Sequence, residues 1–141
     1  MVAANPGQPP RPLRKVASGG ELSRISLAIE VAALGLDAVP TMVFDEVDSG
    51  IGGAVADIVG QKLRELGARR QVLCVTHLPQ VAAQGHAHYR VSKAASEGVT
   101  RSAVQRLDQK ERTEELARML GGVDVGKEAR AAAKRLLSDV V

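Results

Sequence analysis

Apolar residues recur at helical spacing early in the chain. Leu22, Ile25, Ile29, Ala32 and Leu36 form one stripe and predict a helix over residues 20–36. The pattern then changes to short unbroken runs, Thr41-Met42-Val43-Phe44 and Gln71-Val72-Leu73-Cys74-Val75. Runs of this length, rich in valine, read as strands buried on both faces of a parallel sheet. Between them, Val55, Ile58, Val59, Leu63 and Leu66 line one face of a helix. The unit is β-α-β, so both strands deliver the ionisable residues at their ends to the same carboxyl edge, where open α/β sheets bind ligands. A short helix is expected over 78–83. Alternating strands are expected over 88–93 and 99–107, with Glu97-Gly98 in the turn. Two helices close the chain, over 110–120 and 127–137, divided by Gly121-Gly122. Pro6, Pro9, Pro10 and Pro12 make residues 1–14 a loop or extended lead-in.

With 141 residues, the chain is long enough for one core, so one domain or lobe is expected. A net charge of +3 permits contact with nucleic acid without requiring it, because Lys and Arg are dispersed among acids. Phe44 and Tyr89 are the whole aromatic content, which argues against a base-stacking platform. The lone Cys74 has no disulfide partner and fits a small apolar residue in a strand, in a reducing, cytoplasmic setting. No apolar stretch is long enough to span a bilayer, no signal-peptide pattern opens the sequence, and no membrane partner is expected.

Candidate chemistry gathers where predicted elements begin and end. Ser18-Gly19-Gly20-Glu21 is a glycine turn running into an apolar helix. Glycines allow close backbone approach, and the unpaired first amides of a helix, with its dipole, favour an anion. The same residues fit the S-x-x-E capping box, which needs no ligand. The first strand breaks off in Asp45-Glu46 and the second in Thr76-His77. His86 and His88 have no partner at metal-ligand spacing and read as structural or exposed.

These segments together resemble the ABC-type ATPase superfamily. Ala17-Ser18-Gly19-Gly20-Glu21 is similar to its signature motif, 41–46 to the Walker B strand with its catalytic Glu, Val47-Asp48-Ser49-Gly50 to the D-loop, and His77 to the switch histidine. The resemblance narrows to the SMC-like RecN family of bacterial DNA repair proteins. It rests on Asn5-Pro6-Gly7-Gln8, Lys15 through Arg24, Phe44 through Gly53, Cys74 through Ala82 and Glu114 through Gly122. It implies an α/β fold of the P-loop NTPase type: the C-terminal lobe of a head, residues 1–141, with a parallel β-α-β core and C-terminal helices. It also implies ATP and Mg²⁺ as ligands. Asp45 would hold the Mg²⁺ directly or through water, and Glu46 would polarise the attacking water. His77 would sense the γ-phosphate, and Asp48 would reach across a head–head interface. Ser18, Gly19, Gly20 and Glu21 would complete, in trans, the site of ATP held by a second head.

An ATP site also needs a phosphate-binding loop between a strand and a helix. The one candidate, 121–128, satisfies G-x-x-x-x-G-K but then offers Glu128 and comes after a predicted helix, so it reads as an inter-helix linker. In the family that loop belongs to an N-terminal lobe, separated in sequence by a long coiled coil. The expectation is therefore a lobe inactive alone. Its implied partners are the N-terminal lobe, a second head and, through the complete protein, DNA. The implied role is recombinational repair of double-strand breaks in the cytoplasm, at the nucleoid. Two other classes fit parts of the pattern: the nucleotide-binding part of an ABC transporter, and a non-catalytic DNA-binding or scaffold domain. Against the transporter, Glu21 stands where a transporter signature usually has Gln.

Overall fold

The computed structural model describes residues 7, 9–12, 17–32, 39–96, 99–122 and 125–140. Most of the predicted lead-in, the helix end at Leu36 and the turn at Glu97-Gly98 lie outside the described residues. The chain divides into two compact units, Met1–Thr76 and His77–Val141.

The first unit holds α1 (Gly19–Ala32), β1 (Thr41–Phe44), α2 (Gly53–Gly67) and β2 (Gln71–Cys74). β1 and β2 pair in parallel, with Thr41 opposite Gln71 and Phe44 opposite Cys74. The Val75 amide extends the ladder by donating to the Phe44 carbonyl at 3.0 Å. α2 packs against β2 and α1 through Ala56, Val59, Gly60, Leu63 and Leu66. These positions fall on one helical face, which is the crossover geometry a parallel pair requires.

Three packing expectations need correction. The strands are not buried on both faces: Phe44 is buried, but Val43, Leu73 and Val75 on the opposite face are 66%, 48% and 61% exposed. The period-2 pleat gives each strand two faces, and only the Met42–Phe44 side is covered. On α2, Val55 and Ile58 lie outside the packed face and remain exposed. On α1, the packed face is Gly20, Arg24, Leu27 and Val31, at spacings of four, three and four, while Ile25 and Ile29 point away and stay exposed. Of the apolar stripe read from the sequence, Ile25, Ile29 and Ala32 thus lie on the uncovered side of α1, while Leu22 is half-buried.

The second unit holds α3 (Pro79–Gln84), β3 (Tyr89–Ser96), β4 (Val99–Arg106), α4 (Gln109–Gly121) and α5 (Lys127–Ser138). β3 and β4 form an antiparallel hairpin, with Tyr89 opposite Arg106 and Val91 opposite Val104. The core joins Ala82 and Ala83 of α3, Leu116 and Ala117 of α4 and Ala133 of α5, with Met119, Leu136 and Leu137 packed around them. α4 begins with a complete capping box: the Glu111 amide donates to Asp108 Oδ1 at 2.8 Å, and the Asp108 amide donates to Glu111 Oε2 at 2.9 Å. Arg112 Nη2 donates to the Ala82, Ala83 and Gly85 carbonyls at 3.3, 2.6 and 2.5 Å at the end of α3, where the Ala82 carbonyl also accepts from the Gly85 amide. Gly122 at the end of α4 has φ 67, and Gly126 is the N-cap of α5. The described parts of 121–128 therefore connect two helices, which is the linker expected there.

Candidate functional site

Because β1 and β2 are parallel and in register, the chain leaves both at the same edge of the sheet. After β1, residues 45–50 turn back on themselves, with the Ser49 amide donating to the Glu46 carbonyl at 3.0 Å. Glu46 takes φ 57, the left-handed region that residues bearing a Cβ seldom adopt. Asp45 Oδ1 accepts from the Glu46 amide at 2.9 Å, and both acidic side chains are exposed. Two carboxylates therefore stand open to solvent at the carboxyl end of a strand.

The glycine turn lies directly on this loop. A Cβ placed on Gly19 would fall 2.5 Å from Glu46 Oε2, and one on Gly20 would fall 2.8 Å from the Glu46 carbonyl oxygen and 2.9 Å from Ser49 Cβ. Gly20 therefore requires glycine for close approach to backbone rather than for an unusual φ, whereas at Gly19 only the mobile Glu46 carboxylate would have to move. The capping box also forms: the Ser18 amide donates to Glu21 Oε2 at 2.7 Å, and the Glu21 amide donates to Ser18 Oγ at 3.3 Å. The Ser18 amide and hydroxyl hold the exposed Glu21 carboxyl below its usual range. Capping and ligand binding are compatible, since the box uses the amides of Ser18 and Glu21 and the next amides remain at the helix start.

Side chains from outside the loop anchor it. Ser23 Oγ donates to the Asp45 carbonyl at 2.8 Å. Arg24 Nη1 donates to the Val47 carbonyl at 3.1 Å and to the Ser49 carbonyl at 2.8 Å. Thr76 Oγ1 donates to Asp48 Oδ2. The signal for Arg24 was present: it interrupts the Gly20–Leu27–Val31 spacing with a charge on an otherwise small and apolar face. Asp48 is 2% exposed, so within 47–50 the residues that face outward are Ser49 and Gly50. Cys74 is half-buried, and burial, then Asp48 and Asp45, push its thiol up to about 12, which leaves it unreactive at neutral pH.

The first unit thus gathers Ser18, Gly19, Gly20, Glu21, Asp45, Glu46 and Asp48 around the end of β1. His77 comes directly after Thr76, is exposed and opens the second unit. His86 is exposed, and His88 is partly buried, with its imidazole pushed down by burial and by Arg112.

No family model matches the chain. Its sequence is 74% identical over 140 residues to the DNA repair protein RecN of Xylella fastidiosa strain 9a5c, covering 99% of this chain and 25% of that protein. The RecN of Vibrio cholerae is 53% identical over 137 residues, 97% of this chain and 25% of the relative. The RecN of Deinococcus radiodurans is 55% identical over 120 residues, 85% of this chain and 21% of the relative. The chain therefore spans about a quarter of the length of the relatives it matches. A solved structure from work on ATP-driven dimerization and DNA-stimulated activation of SMC ATPases superposes with a TM-score of 0.56 at 22% identity, covering 84% of this chain and 70% of that one. Over nearly its whole length the chain matches the C-terminal part of the DNA repair protein RecN, with the mixed α/β fold of an SMC-type ATPase head.

Proposed function

We propose that this chain is the C-terminal lobe of an SMC-like ATPase head that acts in recombinational repair of DNA double-strand breaks. The observation that carries the reading is the stacking of the Ser18-Gly19-Gly20 turn on the Asp45-Glu46 loop at the carboxyl edge of a parallel pair. In this reading Glu46 is the general base that polarises the attacking water, a contribution of roughly 10²–10⁴ in rate. Its carboxylate is exposed, as a group that must reach a water on a bound nucleotide has to be. Asp45 offers oxygen to Mg²⁺, which would neutralise charge on the phosphates. Among the described residues no cluster of three or more His, Cys, Asp or Glu could hold a metal by itself. One or two carboxylates with phosphate oxygens are what Mg²⁺ usually takes, so the donor set fits.

The remaining roles follow from the resemblance to the ABC-type ATPase motifs. His77, one residue beyond Thr76, contacts the γ-phosphate. Ser18, Gly19, Gly20 and the start of α1 receive the γ-phosphate of ATP held by a second head, and the N-terminal lobe supplies the loop around the β- and γ-phosphates. Ser49 and Gly50 form the outward face of the D-loop. The Asp48 carboxylate can reach across the interface once its bond to Thr76 opens. A non-catalytic scaffold is the second reading, favoured by the completed capping box at Ser18 and Glu21. Against the transporter alternative stand the RecN relatives.

The test is a head assembled from this chain and a RecN N-terminal lobe. The parental head hydrolyses Mg-ATP. Glu46→Gln binds ATP with unchanged affinity and loses roughly 10²-fold or more in turnover, because the amide keeps the shape but cannot act as a base. Turnover of Glu46→Gln near the parental rate leaves only the capping and scaffold roles.

A further inference from the structure

Resting on that ATPase reading, we infer that Arg24 is a positioning residue that couples the glycine turn at the start of α1 to the orientation of Glu46. Gly19 and Gly20 open the first turn of α1 directly after Ser18, and Ser23 and Arg24 lie on the next turn of the same continuous helix. Arg24 Nη1 bonds two carbonyls of the acidic loop, Val47 at 3.1 Å and Ser49 at 2.8 Å. Ser23 holds the Asp45 carbonyl at 2.8 Å. Glu46 therefore sits between two residues whose carbonyls are tied to the same turn of α1. Its backbone needs that support: φ 57 on a residue with a Cβ is strained and persists only where the surroundings impose it.

The other side of the loop is equally fixed. Val47 is fully buried, and Asp48 is buried with its carboxylate held by Thr76. Arginine suits the task, since it is always charged and its N–H groups form strong charge-assisted bonds to carbonyl oxygens. Gly20 packs on the Glu46 carbonyl and on Ser49 Cβ, and the Ser23 and Arg24 hydrogen bonds give that contact a fixed direction. When a phosphate engages the glycine turn and α1 shifts, Arg24 and Ser23 carry the Asp45–Ser49 backbone with it. Engagement of one composite site thereby sets the carboxylate that serves the other.

The experiment uses the assembled head, with rates normalised to ATP-binding sites. Arg24→Met keeps the length of the side chain and removes its donors. It is expected to bind Mg-ATP and to dimerise within about threefold of the parent, with kcat lowered about 10–100-fold and KM within about threefold. A clamp that serves stability alone lowers the melting temperature and leaves kcat at the parental value below it, which overturns the inference. So does a rise in KM at unchanged kcat. Should Arg24→Met fail to fold, Arg24→Lys retains one charged donor and is expected to lose about 3–10-fold in kcat at unchanged KM; a parental kcat there overturns the inference equally. Glu46→Gln is run alongside. If it is slow while Arg24→Met is fast, only the coupling fails; if it is fast, the ATPase reading fails.

Discussion

Glu46 carries the one positive φ among the described non-glycine residues, and it does so beside the glycine turn and the second exposed carboxylate. Strained backbone at a loop held by three neighbouring side chains is the mark of a residue kept for its position rather than its fit. Ser18 is the residue where two roles can be separated. As a cap it is worth about 1 kcal/mol of stability, and Ser18→Ala should show no more than that. Ser18→Arg adds a bulky cation at an exposed helix start, where a second head must close. In the assembled head it should bind ATP nearly normally by calorimetry, yet neither dimerise nor hydrolyse. A variant less stable but fully active and dimeric with ATP would return Ser18 to a cap alone.

At the scale of elements, α4 shows how one buried acid ties secondary structure together. Glu115 is buried, bonded to Arg118 at 3.0 and 2.6 Å, and 3.8 Å from Arg90 of β3. The Arg118 hydrogen bonds, offset by burial and helped by Arg118, Arg90 and His88 charge, hold the carboxyl below its usual range. A lowered folded-state value means that the stabilisation is complete above the unfolded carboxyl pKa and is lost as pH falls through the folded one. Glu115→Gln should therefore cost about 1–3 kcal/mol at neutral pH by urea titration. The gap between variant and parent should narrow as pH drops below about 4. A gap independent of pH would mean that the bonds to the arginines contribute nothing.

The elements themselves were readable from sequence: α4 and α5 emerged within a residue of their expected limits because periodicity, a capping box and Gly121-Gly122 agree. The buried faces were not equally readable. Ile25 and Ile29 look like core on α1, yet the face that packs is marked by Gly20 and Arg24, where size and hydrogen bonding decide rather than hydropathy. Val43 and Leu73 promised a two-sided strand, but periodicity reports that a face is apolar and not which chain covers it. The acids and the glycine turn stood out in the sequence because they fall at element ends, and the structure brings them together. Ser23 and Arg24 did not, because their bonds run to backbone carbonyls more than twenty residues away in the chain.

In the proposed reading, the chain carries pieces of a site rather than a complete one. The described parts of 121–128 lie between two helices, and the described residues include no strand–loop–helix with Gly, Lys and Ser/Thr to wrap phosphates. Calorimetry of the isolated chain with Mg-ATP should therefore detect no micromolar binding, and such binding would mean that 121–128 is a phosphate loop after all. The exposed Val43, Leu73 and Val75 on one sheet face fit a lobe that another lobe covers. The most direct test of the central claim is light scattering on the assembled Glu46→Gln head with and without Mg-ATP. A composite site used by two heads predicts monomer without nucleotide and a stable dimer with it. A monomer in both conditions, from a head shown to bind ATP, would contradict the account.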